Sequence, residues 1–387
     1  MSPERTPVTP RVVIVGAGPG GCAAAIALAD RGVKDILLLD RARFPRDKTC
    51  GSAISPLGLT VLADLGVEPE VRRHASTIHS LLLTTPGGRR LHLRGGEAAL
   101  VLLRKEFDQL LVDRARALGV RFRDGVQVTG LMRERERVMG VRSGDEEIRA
   151  NHVICADGAH SRFSCDGRPK QTLATIMGWW ENFEYEPGTI EMIFDRTLSP
   201  LYGWMFPESA SRVNVGIVVD GARAGASGDL GNLRPVFEAF LQRHFESRLR
   251  LARPVGRWAG HPISHSTWMR NAAAPGVLYV GESARLTNAA TGEGIYQAMR
   301  CGVLAADTLT RVLSGRTTEH RAWQDYTRIC RRTFTPGFVM GHAFRGAVRL
   351  GVLDAVARAY DRPRLRRIAT WAIGSALTAS SVSGDGR

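Results

Sequence analysis

The stretch Val12-Val13-Ile14-Val15-Gly16-Ala17-Gly18-Pro19-Gly20-Gly21-Cys22, followed by an alanine-rich segment and then by Ile36-Leu37-Leu38-Leu39-Asp40, decides the fold. The two short apolar runs carry no polar face, as strands covered on both sides require, and the segment between them suits a crossover helix. The spacing predicts strands over 11–15 and 35–39 around a helix over 20–30, one βαβ unit. Gly16 permits the tight turn at the end of the first strand. Gly18 lets a pyrophosphate approach the backbone, and Gly21 lets helix and strand pack closely. The helix start then offers free N–H groups and a positive dipole end to phosphate oxygens. Asp40 stands 24 positions after Gly16, at the end of the second strand, where a carboxylate accepts ribose hydroxyls. Strand, glycines, helix and acid are all in register, which sets this loop apart from a purely structural glycine turn.

Two later stretches repeat the strand-then-turn pattern. Cys155-Ala156-Asp157-Gly158-Ala159-His160-Ser161-Arg162 follows a buried strand read over 153–155. An Asp-Gly turn alone is common on surfaces, but its place behind a second buried strand ties Asp157 to the first motif. His160 takes no role in this reading. Tyr279-Val280-Gly281-Glu282-Ser283-Ala284-Arg285 ends a strand over 277–280, and Thr291-Gly292-Glu293-Gly294-Ile295 opens a long helix read over 294–313. Glu282 is placed to meet a sugar or ribityl hydroxyl. Gly292, Gly294 and Ile295 aim further N–H groups at the same ligand.

Between these anchors, residues 104–118 have apolar positions at helical spacing (Phe107, Leu110, Leu111, Ala115, Leu118), with strand-like 120–123 after them. Alternating, charged segments over 126–148 predict a small antiparallel meander. Aromatic-rich strand patterns over 173–219 predict a separate sheet over the cofactor. The C-terminal remainder reads as helical, with breaks at Pro336 and Pro363.

The chain has 387 residues, 53 Lys+Arg against 38 Asp+Glu, and a net charge of +15. Such a balance suits polyanions, although dispersed arginine in an Ala/Gly/Arg-rich chain is also what GC-rich coding produces. Nucleic-acid binding would explain the charge and none of the glycine motifs. The six cysteines (Cys22, Cys50, Cys155, Cys165, Cys301, Cys330) form no CxxC pair and read as reduced thiols of a cytoplasmic protein. No signal peptide and no apolar run of membrane-spanning length is visible, and no residue set reads as a metal site.

The order GxGxxG, Asp-Gly, Gly-acid resembles the p-hydroxybenzoate-hydroxylase-type flavoprotein superfamily over about residues 10–305. One departure is that the family's Gly-Asp stands here as Gly281-Glu282; the side chain is one methylene longer, which shifts the hydroxyl contact and keeps the chemistry. The resemblance implies non-covalently bound FAD, no second Rossmann domain for a nicotinamide, and a cofactor-side role for Arg104. It also implies an α/β fold in which a Rossmann-type FAD-binding domain (10–75, 101–170, 271–318) interleaves with an antiparallel-sheet substrate domain (76–100, 171–270), plus a helical C-terminal region (319–387).

Three further stretches narrow the resemblance. They are Phe44-Pro45-Arg46-Asp47-Lys48-Thr49-Cys50-Gly51, Ser199-Pro200-Leu201-Tyr202-Gly203-Trp204-Met205-Phe206-Pro207, and Asn288-Ala289-Ala290-Thr291-Gly292-Glu293-Gly294-Ile295-Tyr296-Gln297-Ala298-Met299. Together they resemble the geranylgeranyl reductase family, whose members hydrogenate isolated prenyl double bonds. The Trp-x-Trp-x-Ile-Pro signature of flavin-dependent halogenases is missing, and Trp179-Trp180-Glu181 does not fit it. The resemblance implies that Lys48, Cys50 and Gly51 lie beside the flavin and that Tyr202 and Trp204 line the substrate pocket.

Reduction of an unactivated alkene needs a hydride and a proton donor, within walls that hold an apolar chain. Cys50 is the candidate proton donor or positioning group; a buried structural thiol is the bland reading. Tyr202 and Trp204 alternate and share a face, as core aromatics also would. NAD(P)H or a reduced ferredoxin, the latter an electron-donor protein, is the expected reductant. An oxygenase hydroxylating an aromatic or polyketide ring is the alternative, with recruitment into specialised metabolism open to either.

The C-terminal region carries apolar residues at helical spacing (Phe344, Val348, Val352; Leu353, Val356) interleaved with Arg345, Arg349 and Arg358. After Pro363, Arg364, Arg366 and Arg367 precede Ile368, Trp371 and Ile373. Residues 331–387 hold ten Arg and three Asp, a local charge of +7. The stripe fits a helix closing the substrate cavity, and it equally fits peripheral contact with an anionic membrane.

Overall fold

The computed structural model describes residues 11–164, 172–224, 230–265, 269, 271–360 and 362. Cys165 and the segment with Pro363, Arg364, Arg366, Arg367, Ile368, Trp371 and Ile373 lie outside the described residues.

A six-stranded sheet carries the first motif. Its order is Ala273–Ala274, Val277–Tyr279, His152–Cys155, Val12–Val15, Ile36–Leu39, Arg121–Arg123, parallel except at the first pair. Val12–Val15, Ile36–Leu39 and His152–Cys155 are buried throughout, as strands covered on both faces must be. Helices Pro19–Asp30 and Ile295–Leu313 pack closely against each other. A Cβ at Gly302 would lie 2.3 Å from the Gly20 carbonyl oxygen, so small residues are required at that crossing. Pro19 begins its helix one residue earlier than the spacing predicts, since its missing N–H costs nothing in a first turn.

The second sheet has eight strands. Their order is Arg253–Ser264, Thr172–Glu181, Arg212–Asp220, Gly203–Ser209, Thr189–Ile193, Ser76–Thr84, Arg90–Val101, Ala53–Ile54. The strands expected within 173–219 form half of it, and segments on either side in sequence complete it. Most pairs are antiparallel; Thr189–Ile193 runs parallel to Ser76–Thr84. On one face Phe237, Phe240 and Phe245 of helix Leu230–Leu249 pack against Ile176, Met205, Val213 and Ile217. The other face, carrying Tyr202 and Trp204, turns toward the nucleotide-binding sheet. The period-2 alternation is sharp at Gly203, where a Cβ would sit 2.1 Å from Phe240 Cζ. The meander expected within 126–148 is three strands, Gly130–Glu134, Arg137–Ser143 and Glu146–Arg149.

Pro336 does not break the C-terminal helix. Glu319–Arg349 runs through it without interruption, followed by Val352–Tyr360. An interior proline costs about 3 kcal/mol, but Phe334, Gly337, Phe338 and Gly341 on either side of it are buried, so packing holds both halves in line. Most of the described part of the arginine-flanked stripe turns inward, while Val352 is exposed. Val348, Leu353 and Ala357 are buried with Leu83, Leu91, Phe194 and Tyr202, and Arg345 is buried against Asp220 at 2.5 Å. The apolar face thus backs the eight-stranded sheet.

Candidate active site

A cavity of about 1290 Å³ lies where the C-terminal ends of the parallel strands face the large sheet. All three motifs open into it, because each begins where a parallel strand stops: Gly16 after Val15, Ala156 after Cys155, Val280 after Tyr279. Of the residues the sequence singles out, Gly16, Gly18, Asp40, Lys48, Cys50, Gly51, Arg104, Asp157, Tyr202, Trp204, Gly281, Glu282, Gly292, Gly294 and Ile295 all line this cavity. Gly21 lies beneath it, where a Cβ would meet the Gly16 carbonyl oxygen at 1.8 Å.

The glycine loop has the shape a pyrophosphate needs. Gly16 has φ +100° and sits against the Ala156 carbonyl, so the turn excludes a side chain twice over. A Cβ at Gly18 would meet only Arg46 Nη2, at 3.7 Å, so this position faces open space. The Asp40 carboxylate accepts the Ala17 N–H at 2.8 Å and the Ala42 N–H at 2.9 Å, which pins the loop while leaving lone pairs for a sugar hydroxyl. Beside it, Arg104 grips Asp108 through two bonds of 2.8 Å, and Arg46 reaches the same carboxylate at 2.9 Å. That puts two arginines on one buried carboxylate at the phosphate side, with Arg46 also 3.8 Å from Asp40. Asp108 escaped the sequence reading, because its helical position marks only a turn partner for Arg104 and says nothing of Arg46.

The second and third motifs are fastened together. Ser283 Oγ donates to Asp157 at 2.8 Å and accepts from the Gly158 N–H at 3.2 Å. Gly281 has φ +63°. The longer Glu282 side chain has a use of its own: its Oε1 accepts the Ser264 N–H at 3.2 Å, bridging to the large sheet. Burial pushes the Glu282 carboxyl up from its ordinary range, while Lys48 and Arg104 pull the other way. Near the helix start, the buried Thr287 hydroxyl has no hydrogen-bond partner among the described residues and opens on the cavity.

Cys50 and Gly51 meet the aromatic wall. A Cβ on Gly51 would lie 3.1 Å from Phe206 and 3.4 Å from Trp204 Nε1, so only glycine lets the loop lie this close. Tyr202, Trp204 and Phe206 form a continuous wall, with ring centroids 6.2 and 6.1 Å apart. Trp204 is locked by donating to Asn214 Oδ1 at 2.7 Å, and Asn214 in turn donates to the Gly178 carbonyl. Tyr202 donates to the Thr291 carbonyl at 2.5 Å, joining the wall to the glycine segment before the long helix. Burial pushes its phenol up, so the hydroxyl stays a donor. Leu81, Met177, Met192, Val218 and Ile263 extend the apolar lining.

Two histidines complete the floor. His261, on strand Arg253–Ser264, is bonded to Lys48 and lies 5.1 Å from His160, ring to ring. Burial and the Lys48 charge push His261 down to about 3, so it is neutral. His160 is lowered as well, by burial, Arg41 and Lys48. It lines the cavity, although its position after the Asp-Gly turn points to no role. His261 carried no signal, being one polar residue in a strand whose partner lies in a distant loop.

These features fit FAD. Gly18 leaves room for a pyrophosphate, Asp40 keeps acceptor capacity for a ribose, and the Thr287 hydroxyl awaits a partner beside the helix start. Comparison with known proteins agrees. The family described as FAD binding domain matches residues 9–178, and the family described as FAD dependent oxidoreductase matches 102–308. Digeranylgeranylglycerophospholipid reductase 2 of Methanopyrus kandleri is 28% identical over 381 residues, covering 92% of each chain. Reductase 1 of the same organism is 30% identical over 315 residues, covering 78% of this chain and 80% of that one. Among solved structures, a geranylgeranyl bacteriochlorophyll reductase-like protein from Thermoplasma acidophilum superposes with TM-score 0.81 at 21% identity, covering 96% of this chain and 98% of that one. The flavin-dependent brominase Bmp2 shares the fold at TM-score 0.77 and 16% identity, covering 94% and 93%. A cavity built for FAD, an aromatic wall pressed on the Cys50-Gly51 loop, and relatives matched along most of the sequence lead to one assignment: the chain belongs to the geranylgeranyl reductase family of FAD-dependent oxidoreductases.

Proposed function

We propose that the protein hydrogenates isolated C=C bonds of a prenyl chain or a related isoprenoid-derived metabolite. The observation that carries this reading is the contact of Gly51 with Trp204 and Phe206, which sets the Cys50 loop against an apolar wall inside the flavin cavity. Bound and reduced, FAD supplies hydride. The protein's own residues supply the rest. Leu81, Met177, Met192 and the aromatic rings hold an apolar chain and exclude water, and the ring faces favour positive charge developing on a carbon of the alkene. Cys50, anchored by the Ser52 N–H at 3.3 Å, delivers a proton to that carbon. Gly16, Gly18, Asp40, Arg104, Asp157, Glu282, Gly292, Gly294 and Ile295 hold the cofactor, within FAD-binding segments 10–75, 101–170 and 271–318.

Electrons come from NAD(P)H or a reduced ferredoxin, and a prenyl substrate would be drawn from a lipid phase at the protein's periphery. The relatives' names support the substrate class, since they denote reductases of geranylgeranyl lipids. Oxygen separates this reading from hydroxylation on the same scaffold. With reductant in air, adding a prenyl substrate is expected to lower the O2 consumption rate, since alkene and O2 compete for the reduced flavin, and turnover should rise when O2 is removed. Substrate-dependent O2 uptake matching product formation would instead assign an oxygenase.

A further inference from the structure

Lys48 is the one lysine lining the cavity among the described residues, and its partner is a histidine that none of the motifs contains. It comes from the loop after strand Ile36–Leu39, and His261 comes from the large sheet; Lys48 Nζ and His261 Nε2 are 3.0 Å apart. The chemistry of the second ring nitrogen fixes who donates. His261 Nδ1 lies 2.5 Å from the Pro262 carbonyl oxygen, which can only accept, so Nδ1 carries the hydrogen. Nε2 is then bare, and it accepts from the lysine ammonium. The imidazole thus replaces water that Lys48 loses on entering the cavity.

The surrounding charges make that replacement matter. Glu282, Arg104, Cys50 and Asp108 face Lys48, and His160 and Arg104 face His261. Burial draws the Lys48 ammonium below its ordinary range, with Glu282 opposing. An ammonium so placed keeps its proton only while its acceptor and its counter-charge stay in reach.

We infer that His261 is a positioning residue that holds the Lys48 ammonium in the cavity, two residues from Cys50, and so fixes a positive charge beside the bound cofactor. The effect on the cofactor rests on the reading of the crevice as the FAD site. A fixed cation there favours the reduced, anionic ring. Glutamine in place of His261 offers an acceptor oxygen, and leucine offers none.

Two readouts test this in H261L, H261Q, K48M and the double variant H261L/K48M. In apoprotein, the Lys48 side-chain carbon resonance reports its titration; the chain has only Lys34, Lys48, Lys105 and Lys170, so K48M assigns it. The Lys48 midpoint is expected at lower pH in H261L than in wild type, with H261Q close to wild type. In holoenzyme, the flavin midpoint potential should fall in H261L and K48M alike, and the double variant should fall no further, since His261 acts through Lys48. An unchanged Lys48 titration in H261L overturns the inference, as does an additive double variant. A lowered titration with unchanged potential upholds the contact and contradicts the placement of the cofactor instead.

Discussion

Gly18→Val is expected to leave the protein folded and without FAD. Gly18 has φ −77°, which valine adopts without strain, and its side chain would point into open cavity with Arg46 Nη2 as the nearest atom at 3.7 Å. The isopropyl group would occupy the space through which a pyrophosphate reaches the helix N-terminus. FAD affinity should drop at least about 100-fold, about 3 kcal/mol at roughly 1.4 kcal/mol per tenfold. The apoprotein should melt within a few degrees of wild-type apoprotein. Gly21→Val behaves differently: its Cβ would lie 1.8 Å from the Gly16 carbonyl, so the fold itself should suffer. Fluorescence titration of apoprotein with FAD, alongside thermal melts, separates the two. A Gly18→Val protein that binds FAD as tightly as wild type would remove the phosphate-loop assignment.

Cys50→Ala is expected to keep FAD and to lose turnover by about 100-fold or more, the usual scale for removing a positioned proton donor. The Cys50 thiol accepts the Ser52 N–H and meets Arg104, which Asp108 holds through two bonds of 2.8 Å without it, so cofactor retention should not change. Cys301→Ala makes the control. Its thiol is fully buried against the Tyr326 hydroxyl at 3.1 Å and does not line the cavity, so its loss should lower the melting temperature with little effect on turnover. Single-turnover rates of alkene reduction by the pre-reduced enzyme give the comparison free of the donor's own kinetics. Equal rates for Cys50→Ala and wild type would leave Cys50 as a packing residue.

The features legible in the sequence are those fixed by local rules. A strand followed by glycines and a helix announces itself within a few residues, and so does an acid at the end of the next strand. Tyr202 and Trp204 were visible as a pair because a strand alternates. What stayed hidden was set across chain segments. The Lys48–His261 bond and the Arg46–Asp108–Arg104 triad join residues whose meeting depends on how two sheets face each other. Pro336 misled for a related reason: its local cost was plain, and the buried phenylalanines and glycines that outweigh it were not. Glu282 looked like a lengthened version of an expected acid, and its reach to Ser264 on the other sheet supplies the reason for the length.

On the proposed function, a prenyl double bond is reduced in the cavity between the FAD crevice and the Tyr202–Phe206 wall. The most direct measurement is mass spectrometry of a prenyl substrate after anaerobic incubation with chemically reduced holoenzyme. Two hydrogens added per bond, a gain of about two mass units each, should appear with wild type and fall sharply with Cys50→Ala. An unchanged substrate without oxygen, together with a gain of about sixteen units once air is admitted, would contradict the account and make the protein an oxygenase.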